Sequence, residues 1–377
     1  MKGKMKTAGI FIITVIVSLL IINYFSRDRN NTVSGEITIW GDENTYGYIN
    51  ELASDYMKNN KRTKIKVEKV NSKDYFNKII NIKKKDMPNI AQFNSLDMSK
   101  LASKGIELAN EWNLINTYKM NFSNSRLQEV NINGKILGVP FTSRPLVLYL
   151  REDVLNKYGY SSEDINTWND LTKISEDIYK KSKGKYKGLN GTGQDYKDLL
   201  TLLIMQNMEY NKDKDKIIKS VNKEIDSLKK DNILTANNDE GYFGKISSIR
   251  GMNAIEDLKE KCTWTANNPP ASEIGLNRFF VAQGENFVVL NSDSDNSKLI
   301  NSFLEYISNN TKIALKYAIK GEIFPSYIFA YKSKDVEEPI NNFKGKSPLV
   351  IMSNISKKAP KIEEYNLYKK IEEQLIN

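Results

Sequence analysis

The chain contains no histidine. That absence removes Ser-His and Cys-His nucleophilic pairs, imidazole metal ligation and the commonest general base. Carboxylate-pair chemistry stays open, because Asp and Glu are plentiful, but a single sequence does not separate a glycosidase pair from two surface acids. Cysteine is nearly absent too. Cys262 is the only one, so no intramolecular disulfide forms, and the residue reads as a buried, inert thiol. Dense basic tracts are scarce despite a formal charge of +10. Lys2, Lys4, Lys6, Arg27 and Arg29, less Asp28, carry +4 of it, and the rest is dispersed. Lys83-Lys84-Lys85 is the one dense run; it lacks interleaved aromatics and reads as a solvated helix face, so nucleic acid is not expected as a partner. No internal repeat or low-complexity tract interrupts the body, and nothing calls for a cofactor or a metal.

What the chain does have begins with a long apolar run. Ala8 to Phe25 is apolar apart from Thr14, Ser18 and Asn23; at about 1.5 Å per residue it would make roughly 27 Å of helix, nearly a hydrocarbon core. The run is long for a signal peptide, lacks small residues just beyond it, and has no lipid-accepting cysteine. A retained signal-anchor is therefore expected, with cleavage near Val33-Ser34-Gly35 as the alternative. The basic N-terminal flank favours a cytoplasmic N-terminus. This reading gives a cell-membrane location with a single N-terminal transmembrane helix, the membrane as a partner through residues 8–25, and the bulk of the chain outside.

Some 340 residues follow, enough for two lobes with separate cores. Glu36-Ile37-Thr38-Ile39-Trp40 alternates polar and apolar and reads as a strand. Residues 45–60 place Tyr48, Ile49, Leu52, Ala53, Tyr56 and Met57 at helical spacing. A second strand over 65–70, a helix over 75–84 and a third strand over 89–93 complete an α/β pattern with a largely parallel sheet. Ligands gather beyond the carboxyl ends of such strands, here Trp40 to Glu43 and Gln92 to Ser95. Further on, residues 134–141 and 145–150 read as extended, 151–159 as a helix, and Thr167 as the N-cap of a helix opening at Trp168. Residues 211–232 read as a solvent-facing helix.

The order of motifs resembles the family 1 extracellular solute-binding proteins, the maltose-binding-protein-like receptors of carbohydrate-type ABC importers. The residues that carry it are Ile37 to Trp40, Gly134 to Pro140 (GKILGVP), Leu148-Tyr149 with Arg151 to Leu155, and Thr167 to Leu171. Phe243 to Ile246, Asn291 to Asn296 leading into Leu299 to Ile307, and Ile323 to Ser326 extend it to about residue 330. The resemblance implies a two-lobed periplasmic-binding-protein-like fold of type II, with a hinge and an interlobe cleft. It places lobe 1 at 36–141 and 285–325, lobe 2 at 142–284 and 326–377, and the anchor and linker at 1–35. It further implies a monomeric, non-catalytic receptor for a small polar solute, a carbohydrate or related molecule, with ABC permease subunits as partners. Two alternatives stay open: a membrane-anchored sensory or scaffold protein of the same fold working with a sensor kinase, and a cell-wall glycosidase. The usual aromatic after the Phe243 to Ile246 segment is missing, with Gly251-Met252-Asn253 in its place.

Candidate ligand contacts follow from these positions. Trp40 at a strand end would stack a sugar face, or else be a core tryptophan. Asp42, Glu43, Gln92 and Asn94 would hydrogen-bond hydroxyls or an ammonium from the same rim, or cap helices. Arg144 would present a planar fork to an anion, or form an interlobe salt bridge. Asn253 and Trp264 would come from the second lobe, with Trp264 opposite Trp40. Asn291 would lie where the first lobe's later strands reach the hinge.

Overall fold

The computed structural model describes residues 33–290 and 295–376. Its first sheet begins where the alternation predicts, at the strand Gly35–Gly41. Five strands stand in the spatial order Thr63–Lys69, Gly35–Gly41, Ile90–Phe93, Asn286–Val289, Val139–Pro140. The first three are parallel, whereas Asn286–Val289 runs antiparallel to both its neighbours. Apolar layers cover both faces. Ile37 and Ile39 point into one core with Tyr48, Leu52, Phe287 and Phe303. Trp40 points into the other, with Tyr75, Phe93 and Met98. The helix Tyr46–Asn59 buries Tyr48, Ile49, Leu52, Ala53 and Tyr56, the expected face.

The second sheet has four strands in the order Trp264–Asn267, Val147–Arg151, Gly241–Ser247, Tyr186–Leu189. Its central strand also faces two ways. Leu148 and Leu150 enter a core with Leu199, Leu203 and Phe243, while Val147 and Tyr149 enter another with Met252, Trp264 and Met352. The period of two in a strand produces this split. Two flanking helices match their sequence signals. Thr167 caps Trp168–Lys181 in a reciprocal box with Asp170, and Lys214–Lys230 buries the single stripe Ile217, Val221, Ile225 and Leu228.

Three segments join the sheets. Arg144–Pro145 pairs antiparallel with Val281–Ala282, and Thr142 bridges to Pro325. Backbone bonds bind the three together: Ser143 N donates to Phe324 O at 2.7 Å, and Phe141 N to Glu285 O at 3.1 Å. The helix Tyr365–Leu375 comes last. Tyr368 and Ile371 pack in the second lobe's core, yet Lys369 Nζ donates to Ser99 Oγ at 2.9 Å and Glu373 pairs with Lys100 at 2.8 Å, both in the first lobe.

One part of the expected fold class is corrected. No helix among the described residues is long and apolar enough to cross a membrane. The N-terminal transmembrane helix, the single membrane anchor, the membrane partner and the cell-membrane location that rested on it are withdrawn. Residues 8–25 lie outside the described residues. The described residues form the two-lobed α/β fold.

Candidate functional site

A cleft of about 320 Å³ opens between the lobes at the crossing segments, within the range of small-molecule sites. Three groups of residues line it. Asp42, Asn44, Thr45, Asn94 and Leu96 come from the turns after the first and third strands of the first lobe. Gln194, Lys197, Asp198 and Thr201 come from the first three turns of the second-lobe helix Gly193–Met208, and Ser248, Ile249 and Arg250 from the N-cap and first turn of Ile249–Glu256. The floor is Thr142, Ser143, Arg144, Gln283, Gly284, Glu285, Ile323 and Phe324, with Glu322, Glu372 and Ile376 at its edge.

The structure brings together part of the expected set. Asp42 and Asn94 line the cleft as turn residues with local work. Asp42 Oδ1 accepts from the backbone N–H groups of Asn44 and Thr45, both at 2.9 Å. Asn94 caps Ser95–Ser103 by accepting from Asp97 N at 2.9 Å. Gln92 sits behind them, taking the Asp42 N–H at 3.2 Å and the Thr45 hydroxyl on Oε1. Glu43 turns away and accepts from Ser72 N at 2.9 Å and Ser72 Oγ at 2.6 Å. Trp40 is a core residue, 4% exposed, donating from Nε1 to Glu68 at 2.8 Å. Trp264 is likewise buried, its Nε1 at 3.3 Å from Cys262 Sγ. Asn253 packs under Gly321 and is not among the cleft-lining residues, and Asn291 lies outside the described residues. Among the described residues that line the cleft, Phe324 is the only aromatic one, and its ring stacks on Tyr331 at 4.3 Å.

Arg144 does reach the cleft, where it is bonded to Asp198. Both groups belong to the second-lobe side of the floor. Burial works against the guanidinium charge, but Asp198 outweighs it and raises the Arg144 pKa. Asp198 is 2% exposed, and its carboxyl is raised by desolvation against the pull of Arg144. The pair therefore neutralises itself in place, and Arg144 is not a free anion receptor.

The groups that sequence reasoning missed are two unpartnered hydroxyls and two perturbed carboxyls. Ser143 and Ser248 line the cleft, are buried, and their hydroxyls find no hydrogen-bond partner among the described residues. Ser248 occupies the N-cap of Ile249–Glu256 yet makes no side-chain cap bond, although capping is the usual work of serine there. Glu285, on the second crossing segment, is pushed up to about 7, chiefly by burial and then by the charges of Asp42 and Asp97, with Arg126 and Arg144 opposing. Glu372 also rises to about 7 through burial, opposed by bonds from Tyr368 and Gln283 and by the charge of Arg144.

These two carboxyls fix a direction for stability. Between about pH 4.5, their unfolded value, and about 7, the folded chain holds protons that the unfolded chain has released, so stability falls as pH rises. The chain has no histidine to titrate in that window. The urea midpoint is expected to be higher at pH 5 than at pH 8, and Glu285→Gln to narrow the difference. Equal midpoints in the wild type would contradict the assignment. Cleft water screens part of the Glu285 side chain, which limits the size of the effect.

Residues 51–343 match the family described as bacterial extracellular solute-binding protein. The arabinooligosaccharide-binding protein of Bacillus subtilis is 27% identical over 213 residues, 54% of this chain and 49% of that protein. The chain thus spans about half the length of that curated relative. Among solved structures, the cyclic alpha-maltosyl-1,6-maltose binding protein of Arthrobacter globiformis superposes with a TM-score of 0.70 at 12% identity, covering 90% of this chain and 93% of that one. The ABC substrate-binding protein Lmo0181 of Listeria monocytogenes, in complex with cycloalternan, gives 0.62 at 14% identity over 91% and 98%. At these identities the likeness is one of fold.

Proposed function

This chain belongs to the bacterial extracellular solute-binding proteins, and from that premise we propose that it is the extracytoplasmic receptor of an ABC importer, capturing a small polar solute in its interlobe cleft. The observation that carries the reading is the cleft itself, with polar groups of both lobes and the crossing segments converging on one cavity. A solute touching both walls binds the closed arrangement better than the open one and shifts the population toward it. Permease subunits are the partners this implies. The oligosaccharides named for the relatives support a hydroxyl-bearing solute. The lobe division adopted is 36–141 with 285–325, and 142–284 with 326–377.

The family is one of binding proteins rather than enzymes, so the glycosidase alternative gives way. The sensory alternative shares this fold, and the relative named as an ABC substrate-binding protein favours the receptor reading over it.

The test is a thermal-shift and small-angle scattering screen of the purified protein against mono- and disaccharides and their amino and phosphate derivatives. A bound solute at 100 times its Kd adds about 2.7 kcal/mol to folded stability, and closure reduces the radius of gyration. No melting shift and no compaction with any member would refute the receptor reading.

A further inference from the structure

The charges on the two cleft walls differ in sign. On the first-lobe and floor side, the Glu285 carboxylate has no hydrogen bond or ion pair in the described structure, and Asp42 stands on the same side, held by neutral donors only. Ser143, 1% exposed, places an unpartnered hydroxyl in the same floor. The second-lobe side presents the opposite polarity. Arg250 and Lys197 form no ion pair among the described residues, and Ile249–Glu256 turns its N-terminal end, with its positive dipole, toward the cavity. Ser248, 3% exposed, adds a second idle hydroxyl at that helix end. The buried ion pair of the floor, Arg144 with Asp198, cancels itself, as Glu322 at the edge does with Lys320.

A neutral sugar could hydrogen-bond these groups but would leave their opposite charges uncompensated, and no tryptophan lines the cleft among the described residues. Buried polar groups without partners point instead to a ligand that supplies them. We propose that the solute is zwitterionic: a hydroxyl-bearing molecule whose cationic amino group sits against Glu285 and Asp42, and whose anionic group sits against Ser248 and Arg250. The solute then bridges the lobes by charge, and each end is held from a different wall. This rests on the receptor reading and specifies its ligand class. The raised pKa of Glu285 agrees with it, since an adjacent ammonium is what would return that carboxyl to its charged form.

The experiment is a four-ligand cycle by calorimetry on the full chain: glucose, glucosamine, glucose 6-phosphate and glucosamine 6-phosphate. The amino group and the phosphate are each expected to strengthen binding about tenfold or more, as charged hydrogen bonds do, with glucosamine 6-phosphate tightest. Glu285→Gln should erase the amino advantage and keep the phosphate advantage. Arg250→Ala should do the reverse. Both variants should melt no lower than the wild type, which separates lost recognition from lost folding. Glucose binding as tightly as the zwitterion, or no binding by any of the four, overturns the inference. Compaction in scattering is read in parallel. If glucose binds and compacts the protein, the receptor reading stands while the zwitterion falls; if none of the four binds or compacts it, this inference falls alone unless the wider sugar screen is also silent.

Discussion

Arg126→Ala is expected to lower the free energy of unfolding by about 3–5 kcal/mol, the usual cost of breaking a buried ion pair from one side. Arg126 is fully buried, with burial pushing its pKa down to about 10. It bonds to Glu129 in its own short helix, donates from Nη2 to Asn286 Oδ1 at 2.7 Å and to Glu285 O at 3.1 Å, and reaches Ser326 Oγ at 3.4 Å. One guanidinium thus ties the first lobe to two of the three crossing segments. Its removal strands Glu129, 3% exposed, beside a backbone with no cation to offset it. Arg126→Lys is also expected to fail, because an ammonium does not reproduce the planar fork. The double variant Arg126→Met with Glu129→Gln should recover a large part of the loss. Urea unfolding of the four proteins checks this, and a single variant within about 1 kcal/mol of wild type would show the network to be dispensable.

Gly284→Ala is expected to combine lost stability with lost binding. A Cβ at Gly284 would lie far inside contact distance of the Thr142 carbonyl oxygen, 2.8 Å from its carbon and 3.0 Å from Arg126 Cζ. Backbone cannot swing aside as a flexible side chain does, so the crossing strands must part. Overpacking of this kind costs about 1–3 kcal/mol, and the movement carries Ser143 and Glu285 with it. At least a tenfold loss of solute affinity is expected by calorimetry. Gly47→Ala is the control. A Cβ there meets only the Tyr317 ring, at 3.6 Å or more, within the helix Tyr46–Asn59, where alanine gains about 0.5–1 kcal/mol over glycine. Equal behaviour of the two variants would rule out the steric account.

Much of the scaffold was legible because its signals are local. The alternation at 36–40, the stripe Ile217, Val221, Ile225, Leu228, and the pairing of Thr167 with Asp170 each reflect neighbours a few residues apart. The site was less so. Trp40 and Trp264 stand at strand ends, and a strand end reads the same whether its aromatic faces a cleft or a second core. The outcome was decided by layers on both faces of each sheet, which come from distant segments. Glu285 had no local mark either, since only the crossing of 281–285 over 142–145 gives it its surroundings. A signal did exist in retrospect. Thr142-Ser143-Arg144 and Gln283-Gly284-Glu285-Asn286 are polar runs set inside otherwise apolar stretches, and polar residues that must be buried need a reason.

The helix Tyr365–Leu375 makes the hinge adjustable from outside the cleft. Its core residues travel with the second lobe, while Lys369 and Glu373 hold Ser99 and Lys100 of the first. Gln128 adds a further tie, accepting from Ile362 N at 2.8 Å. A rotation of one lobe against the other has to stretch or exchange these bonds, so their strength enters the free-energy difference between the two arrangements. Apparent affinity scales with the fraction of molecules already competent to bind. Substitutions at Gln128 or Lys100, which do not line the cleft, would therefore act as a gain control on the proposed receptor, rescaling affinity while leaving the choice of solute to the cleft.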